Sequence, residues 1–193
     1  MSATSGFTGY WKLSHDKSSS QKELLKAMGR SKFQIYMIDS AEENFRLYHF
    51  AKGNQHVLEK DVTIFIQGNL VKIASTLFNT DLTRIHYSHK LKANGKEKMH
   101  ADDEKQFGDC KSVTLWDSKS DPENFTIRWY VKNGIIKVKH SIVNDCLVVD
   151  MTFTPSDKKK KIETSQKVYD RGNLTEEDLL ELTKHKFFDM LIK

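Results

Sequence analysis

Between residues 125 and 153 the chain alternates apolar and polar side chains through three successive runs, each separated from the next by a tight-turn dipeptide. Phe125, Ile127, Trp129 and Val131 share one face, opposed by Thr126, Arg128, Tyr130 and Lys132. Ile136, Val138, His140 and Ile142 share a second face, with Lys137, Lys139 and Ser141 behind them. Leu147, Val149, Met151 and Phe153 form a third, although Val148 falls on the opposite side. A period of two belongs to strands, because successive side chains point to opposite sides of the sheet. Asn133-Gly134 is the strongest hairpin signal in the sequence, and Asn144-Asp145 supplies a second turn. Consecutive strands joined by short polar turns predict an antiparallel meander.

The same pattern runs upstream. Phe45 to Phe50 ends at Lys52-Gly-Asn54, Val62 to Gln67 at Gly68-Asn69, and Leu70 to Phe78 at Asn79-Thr80. Leu82 to Leu91 ends at Asn94-Gly95, and Val113 to Trp116 at a polar loop reaching Pro122. Phe7 to Leu13 opens the chain as another strand. So many strands with one helical region would leave long edges exposed, and closure removes them. The prediction is a mostly β chain: a closed antiparallel up-and-down β-barrel of about ten strands, with a helical lid after the first strand.

Ser18-Ser-Ser20 offers N-caps for a helix over Gln21 to Met28, with Leu24, Leu25 and Met28 on one side. Gly29 suits a left-handed C-cap, and Gly68 and Gly134 read as turn or cap residues. A second helix over Ser31 to Glu43 follows from Phe33, Tyr36, Met37 and Ala41 at helical spacing, though Ile35 to Ile38 would also suit a strand. The tail differs. Thr175-Glu-Glu-Asp178 is a helix start, and Leu179, Leu180, Thr183, Phe187, Met190 and Leu191 make an amphipathic stripe. This extra C-terminal helix is expected to pack on the barrel wall or over an open end, the alternative being membrane or partner contact.

Composition narrows the class. At 193 residues, 38% hydrophobic and 30% charged, the chain suits one soluble domain. No apolar run approaches the roughly 20 residues that cross a bilayer. The first six residues, Met1 to Gly6, lack the basic and apolar regions of a secretory signal. Cys110 and Cys146 on separate elements point to free thiols and a cytoplasmic location. Asn173-Leu-Thr175 is then an incidental glycosylation pattern. The net charge of +5 is compatible with an anionic ligand and with transient contact with anionic membranes. Lys158 to Lys161, at a hairpin tip, reads as a solvated turn or a phospholipid contact.

Signals for an enzyme are weak. The sequence has no Gly-rich phosphate loop, no Gly-x-Ser-x-Gly elbow and no His-Glu-x-x-His. His86 and His89 would fall on opposite faces of a strand, and two distant cysteines match no zinc pattern. Asp102 and Asp103 read as turn caps. Arg128-Trp-Tyr130 does not make a nucleic-acid face, because Trp129 alternates away from its neighbours. No catalytic residue, metal, cofactor or nucleic-acid partner is expected.

Several blocks, in order, resemble the intracellular lipid-binding proteins, the cytosolic fatty-acid- and retinoid-binding proteins. Gly9-Tyr-Trp-Lys-Leu13 with Leu24-Leu-Lys-Ala-Met-Gly29 is similar to the family's opening, and Trp11 would cap the barrel floor. Val62 to Thr80, with its Ser75-Thr76 and Asn79-Thr80, resembles the family's second and third strands. Ala101-Asp-Asp103 with Lys111-Ser-Val-Thr-Leu115 resembles the next block, and Lys167-Val-Tyr169 sits where the family ends in Arg-x-Tyr. The resemblance runs from Phe7 to about Arg171. It implies a lipid-binding domain over residues 1–171, with a segment of about 44–60 inserted and residues 172–193 as a helical extension.

The resemblance implies a cavity beneath the helical lid that takes a long-chain fatty acid or similar hydrophobic molecule, carried between membranes by a monomer. A carboxylate in a low-dielectric cavity must be paired. Lys167 and Tyr169 occupy the anchoring positions; lysine keeps the charge of the family's arginine and loses its fork. The second anchor falls at His140 or Lys139, according to register, and His140 shares the apolar face of Val138. Val138, Val149 and Met151 complete the expected ligand-binding set. The ordinary alternatives are a satisfied core histidine, a solvent-facing lysine and a wall tyrosine. A barrel without ligand, working as an interaction module through its tail helix and inserted hairpin, is the other reading.

Overall fold

The computed structural model describes residues 6–52, 55–65, 84–92, 111–116 and 124–173. Strand β1 (Gly9–Leu13) leads into helices α1 (Lys22–Ala27) and α2 (Lys32–Ser40). Eight strands follow: β2 (Glu42–Lys52), β3 (Gln55–Phe65), β4 (Arg84–Lys92), β5 (Lys111–Trp116), β6 (Asn124–Val131), β7 (Gly134–Val143), β8 (Cys146–Pro155) and β9 (Glu163–Gly172). Together they form one antiparallel sheet in the order β4-β3-β2-β1-β9-β8-β7-β6-β5. First and last strands are therefore neighbours. The sheet is not closed among the described residues: its edges are β4 and β5, and residues 93–110 between them lie outside that set. The expected strand Leu70 to Phe78 and the helix from Thr175 lie outside it too.

The alternation read from the sequence matches the burial. Ile136, Val138 and His140 of β7, and Leu147, Val149 and Phe153 of β8, are buried. All but His140 join Phe7, Trp11, Leu47, Phe125, Ile127 and Tyr169 in one hydrophobic core. Trp11 and Arg171 build one end of it. The Trp11 indole N–H donates to the Phe7 carbonyl at 3.0 Å, and the Arg171 guanidinium lies 4.3 Å above the ring. Arg171 also donates to the carbonyls of Thr8 and Gly6, tying β9 to the residues just before β1.

Helix α1 covers the other end. Leu24 and Leu25 are buried, and the Asn133 side chain donates to the Met28 carbonyl at 3.1 Å. Arg30 N–H reaches the Leu25 carbonyl and Gly29 N–H the Lys26 carbonyl, with Gly29 at φ +82°. This double bond pattern is the glycine-ended helix stop expected of Gly29. No side chain of α1 itself caps its start. Asp39, at the end of α2, accepts from Gln21 N–H at 2.8 Å and the Ser20 hydroxyl at 2.9 Å, and pairs with Lys22 at 3.4 Å.

Burial works against the Asp39 charge, but the Gln21 N–H, the Ser20 hydroxyl and Lys22 together hold its carboxyl below the usual range. A depressed folded pKa stabilises above the unfolded value of 3.8, and that support fades as the pH falls through the lower, folded value. Amide protection over Lys22 to Ala27 is expected to drop on acidification. Asp39→Asn should cost about 1–2 kcal/mol at neutral pH and remove that acid-dependent step. Hydrogen exchange against pH checks both.

Three expectations change. The second helix ends at Ser40, because Ala41 turns to extended backbone (φ −74°, ψ 138°) and β2 begins at Glu42. Its start is a capping box, with Ser31 and Gln34 bonded reciprocally at 3.1 and 3.2 Å. Phe33 and Tyr36, two of the residues at helical spacing, are exposed. Residues 55–61, which lack alternation, pair with β2 throughout. Lastly, Gly134 is not a turn residue: it opens β7 opposite Val131, leaving Lys132-Asn133 as the loop.

The need for glycine at 134 is steric. A Cβ there would sit 2.8 Å from Phe153 Cε2 and against the Thr154 carbonyl. Backbone cannot give way cheaply, so Gly134→Ala is expected to cost about 2 kcal/mol in a chemical-denaturation experiment. The left-handed pair is Asn144-Asp145 (φ 50° and 59°), which makes the mirror-image turn that suits strand twist.

Candidate functional site

Cross-strand register assembles the interior face row by row. Phe125, His140, Val149 and Lys167 stand opposite one another across β6 to β9. The next row toward α1 holds Ile127, Val138, Met151 and Ser165. On the other side, toward Trp11, Ile142 faces Leu147 and Leu147 faces Tyr169. The six residues singled out in the sequence thus come together on one face, within three adjacent rows.

Their surroundings differ. Val138, Val149, Tyr169 and His140 are buried, and Met151 is half-buried. The His140 ring stacks on Phe125, with centroids 4.2 Å apart and planes 8° from parallel. Lys139 lies on the opposite face, so the register choice resolves to His140 as the inward residue. Tyr169 packs within the same core as Trp11. The Gln21 side-chain amide, also buried, donates toward Met151 Sδ at 3.7 Å and joins the helical cover to this face.

Lys167 is not a lone cation. Its ammonium lies 2.7 Å from Glu43 Oε2, and the two side chains are 14% and 13% exposed. Strands β2 and β9 are not neighbours; each pairs with β1, which stops at Leu13. The ion pair reaches across the end of that shorter strand. Ser165, two residues from Lys167 on the same face, has a buried hydroxyl with no hydrogen-bond partner among the described residues. Neither Glu43 nor Ser165 stood out in the sequence. Glu43 looked like the end of a helix, and its partner is 124 residues away. Ser165 did carry a readable signal, since 165, 167 and 169 share strand parity.

Burial, and the bond its thiol donates to Asp170 at 3.5 Å, push the Cys146 pKa up, the opposite of what a nucleophile needs. Among the described residues no group of His, Cys, Asp or Glu could hold a metal ion. His86 and His89 sit three residues apart on β4. Among the same residues no helix is long and apolar enough to cross a membrane. Lys158 to Lys161 form an exposed turn between β8 and β9. Cys110, Asp102 and Asp103 lie outside the described residues.

The fold is that of the intracellular fatty-acid- and retinoid-binding proteins. The fluorescent protein UnaG superposes with a TM-score of 0.55 at 21% identity, over 86% of this chain and 97% of its own. Human cRBP IV does so with 0.54 at 15% identity, over 86% and 97%. A Schistosoma mansoni fatty acid binding protein, solved in complex with arachidonic acid, gives 0.53 at 16%, over 88% and 98%. No family model and no curated protein sequence matches the chain.

Proposed function

We propose that this protein binds a hydrophobic ligand of the fatty-acid or retinoid type non-covalently, against the interior face of β6 to β9. The observation that carries the reading is the composition of that face. Val138, Val149 and Met151 offer apolar contact, while His140, Ser165 and Lys167 stand among them at matched register. Apolar walls with a few convergent polar groups are what a small-molecule site requires. The likeness of fold to lipid-binding carriers points the same way.

In this reading β4 and β5 close a barrel of about ten strands around the ligand, under the cover of α1 and α2. His140, Lys167 and Tyr169 bind the polar end; Val138, Val149 and Met151 line the chain. Residues 1–171 form the carrier and 172–193 a helical extension, with the segment at about 44–60 inserted. The protein acts as a cytoplasmic monomer that moves its ligand between membranes, and the exposed lysines touch anionic lipid in passing. It is a carrier and not an enzyme.

Native mass spectrometry of freshly purified protein, followed by lipid extraction, tests this. One lipid per chain, or saturable uptake after delipidation, is the expected result. A chain that arrives empty and ignores a panel of long-chain acids, alcohols and retinoids would end the proposal.

A further inference from the structure

We propose that Glu43 sets the head-group charge of the ligand, so that the interior accepts a lipid with an uncharged hydroxyl or amide end in preference to a free carboxylate. This rests on the reading that the interior face holds a lipid.

The sequence alone makes Lys167 look like an anchor for a carboxylate. The structure gives that ammonium a carboxylate already, at 2.7 Å, with both side chains shielded from water. A fatty-acid anion arriving there meets an ammonium whose charge Glu43 already pairs. It also stands beside Glu43, a like charge at close range. Both effects disfavour an anion in a poorly solvated interior.

An uncharged head meets neither obstacle. Ser165, whose hydroxyl has no partner among the described residues, follows the same face two residues from Lys167, about 6.6 Å along the backbone. A buried hydroxyl without a partner is a standing cost, and buried polar groups in folded proteins are rarely left so. A hydroxyl or amide head can both donate to and accept from it. Its position between the Glu43–Lys167 pair and Met151 places that partner where the apolar rows begin.

The test compares hexadecanol with hexadecanoic acid, which share one chain length, binding to the delipidated full chain at neutral pH. The wild-type protein should bind the alcohol at least about tenfold tighter. In Glu43→Gln the Lys167 charge is released, and the preference should reverse toward the acid. Ser165→Ala should weaken the alcohol by roughly threefold or more and the acid by less. A wild-type protein that takes the acid as tightly as the alcohol would overturn the proposal, as would an unchanged ratio in Glu43→Gln. If Glu43→Gln does not fold, the wild-type ratio and the Ser165→Ala response decide. Absence of binding by both compounds would instead remove the lipid-binding reading itself.

Discussion

Trp11→Ala is expected to cost about 3–5 kcal/mol, the largest loss from any single side chain of the core. A domain of ordinary stability has only about 5–15 kcal/mol to lose. Trp11 is fully buried, so truncation opens a large void among Phe7, Leu47 and Tyr169. It also removes the indole N–H that binds the Phe7 carbonyl and the ring that faces the Arg171 guanidinium. These contacts tie β1 to β9, the pairing that joins the first described strand to the last. Trp11→Phe should fill part of the void, keep a ring under Arg171 and cost about half as much. Denaturant unfolding followed by circular dichroism distinguishes the two. A loss below about 1 kcal/mol for Trp11→Ala would mean that this end of the core carries little of the stability.

Lys167→Met is expected to cost about 3 kcal/mol, in the range for breaking a shielded ion pair. Methionine replaces the volume, so packing changes little. The loss comes from Glu43, whose carboxylate stays in a poorly solvated place with the ammonium gone. Removing both charges should therefore be gentler than removing one. The double variant Lys167→Met with Glu43→Gln is expected to regain most of the stability, giving a coupling of about 2 kcal/mol or more in a double-mutant cycle. A cycle that sums to zero would show that the two groups do not interact in solution, and the argument for an uncharged ligand would lose its base.

The two predictions draw on different parts of the molecule, and the sequence exposed them unequally. Trp11 was legible as a structural residue, because an apolar aromatic on a short strand has few other uses. The inward set of β7 and β8 was legible for a similar reason. His140 shares parity with Ile136 and Val138, and Met151 with Val149 and Phe153; a period of two is local information. Gly29 as a helix stop was local too, since the stop depends on one residue's freedom at positive φ.

The end of α2 was not legible. Residues 41–43 carry no alternation and no breaker; Ala41 turns extended, and pairing with β3 fixes Glu42 and Glu43 as strand. Gly134 was misassigned because Asn-Gly is a turn signal on its own. The real constraint, Phe153 and the Thr154 carbonyl, comes from the neighbouring strand. Asn133, read with it as turn chemistry, also holds the end of α1.

By itself the sequence determined which side chains share a face, since alternation follows from the geometry of a single strand. That was enough to put His140 and Val149 on the apolar sides of their strands before any partner was known, whereas Lys167 was placed inward only by the resemblance to an Arg-x-Tyr ending. Only the tertiary structure decided what those side chains meet. Register set His140, Val149 and Lys167 in one row, and the early end of β1 let Glu43 reach Lys167 from across the sheet. The physical reason is that side-chain direction depends on the residue's own backbone, whereas charge compensation depends on distance in space. Glu43 and Lys167 are 124 residues apart in the chain and 2.7 Å apart in the fold.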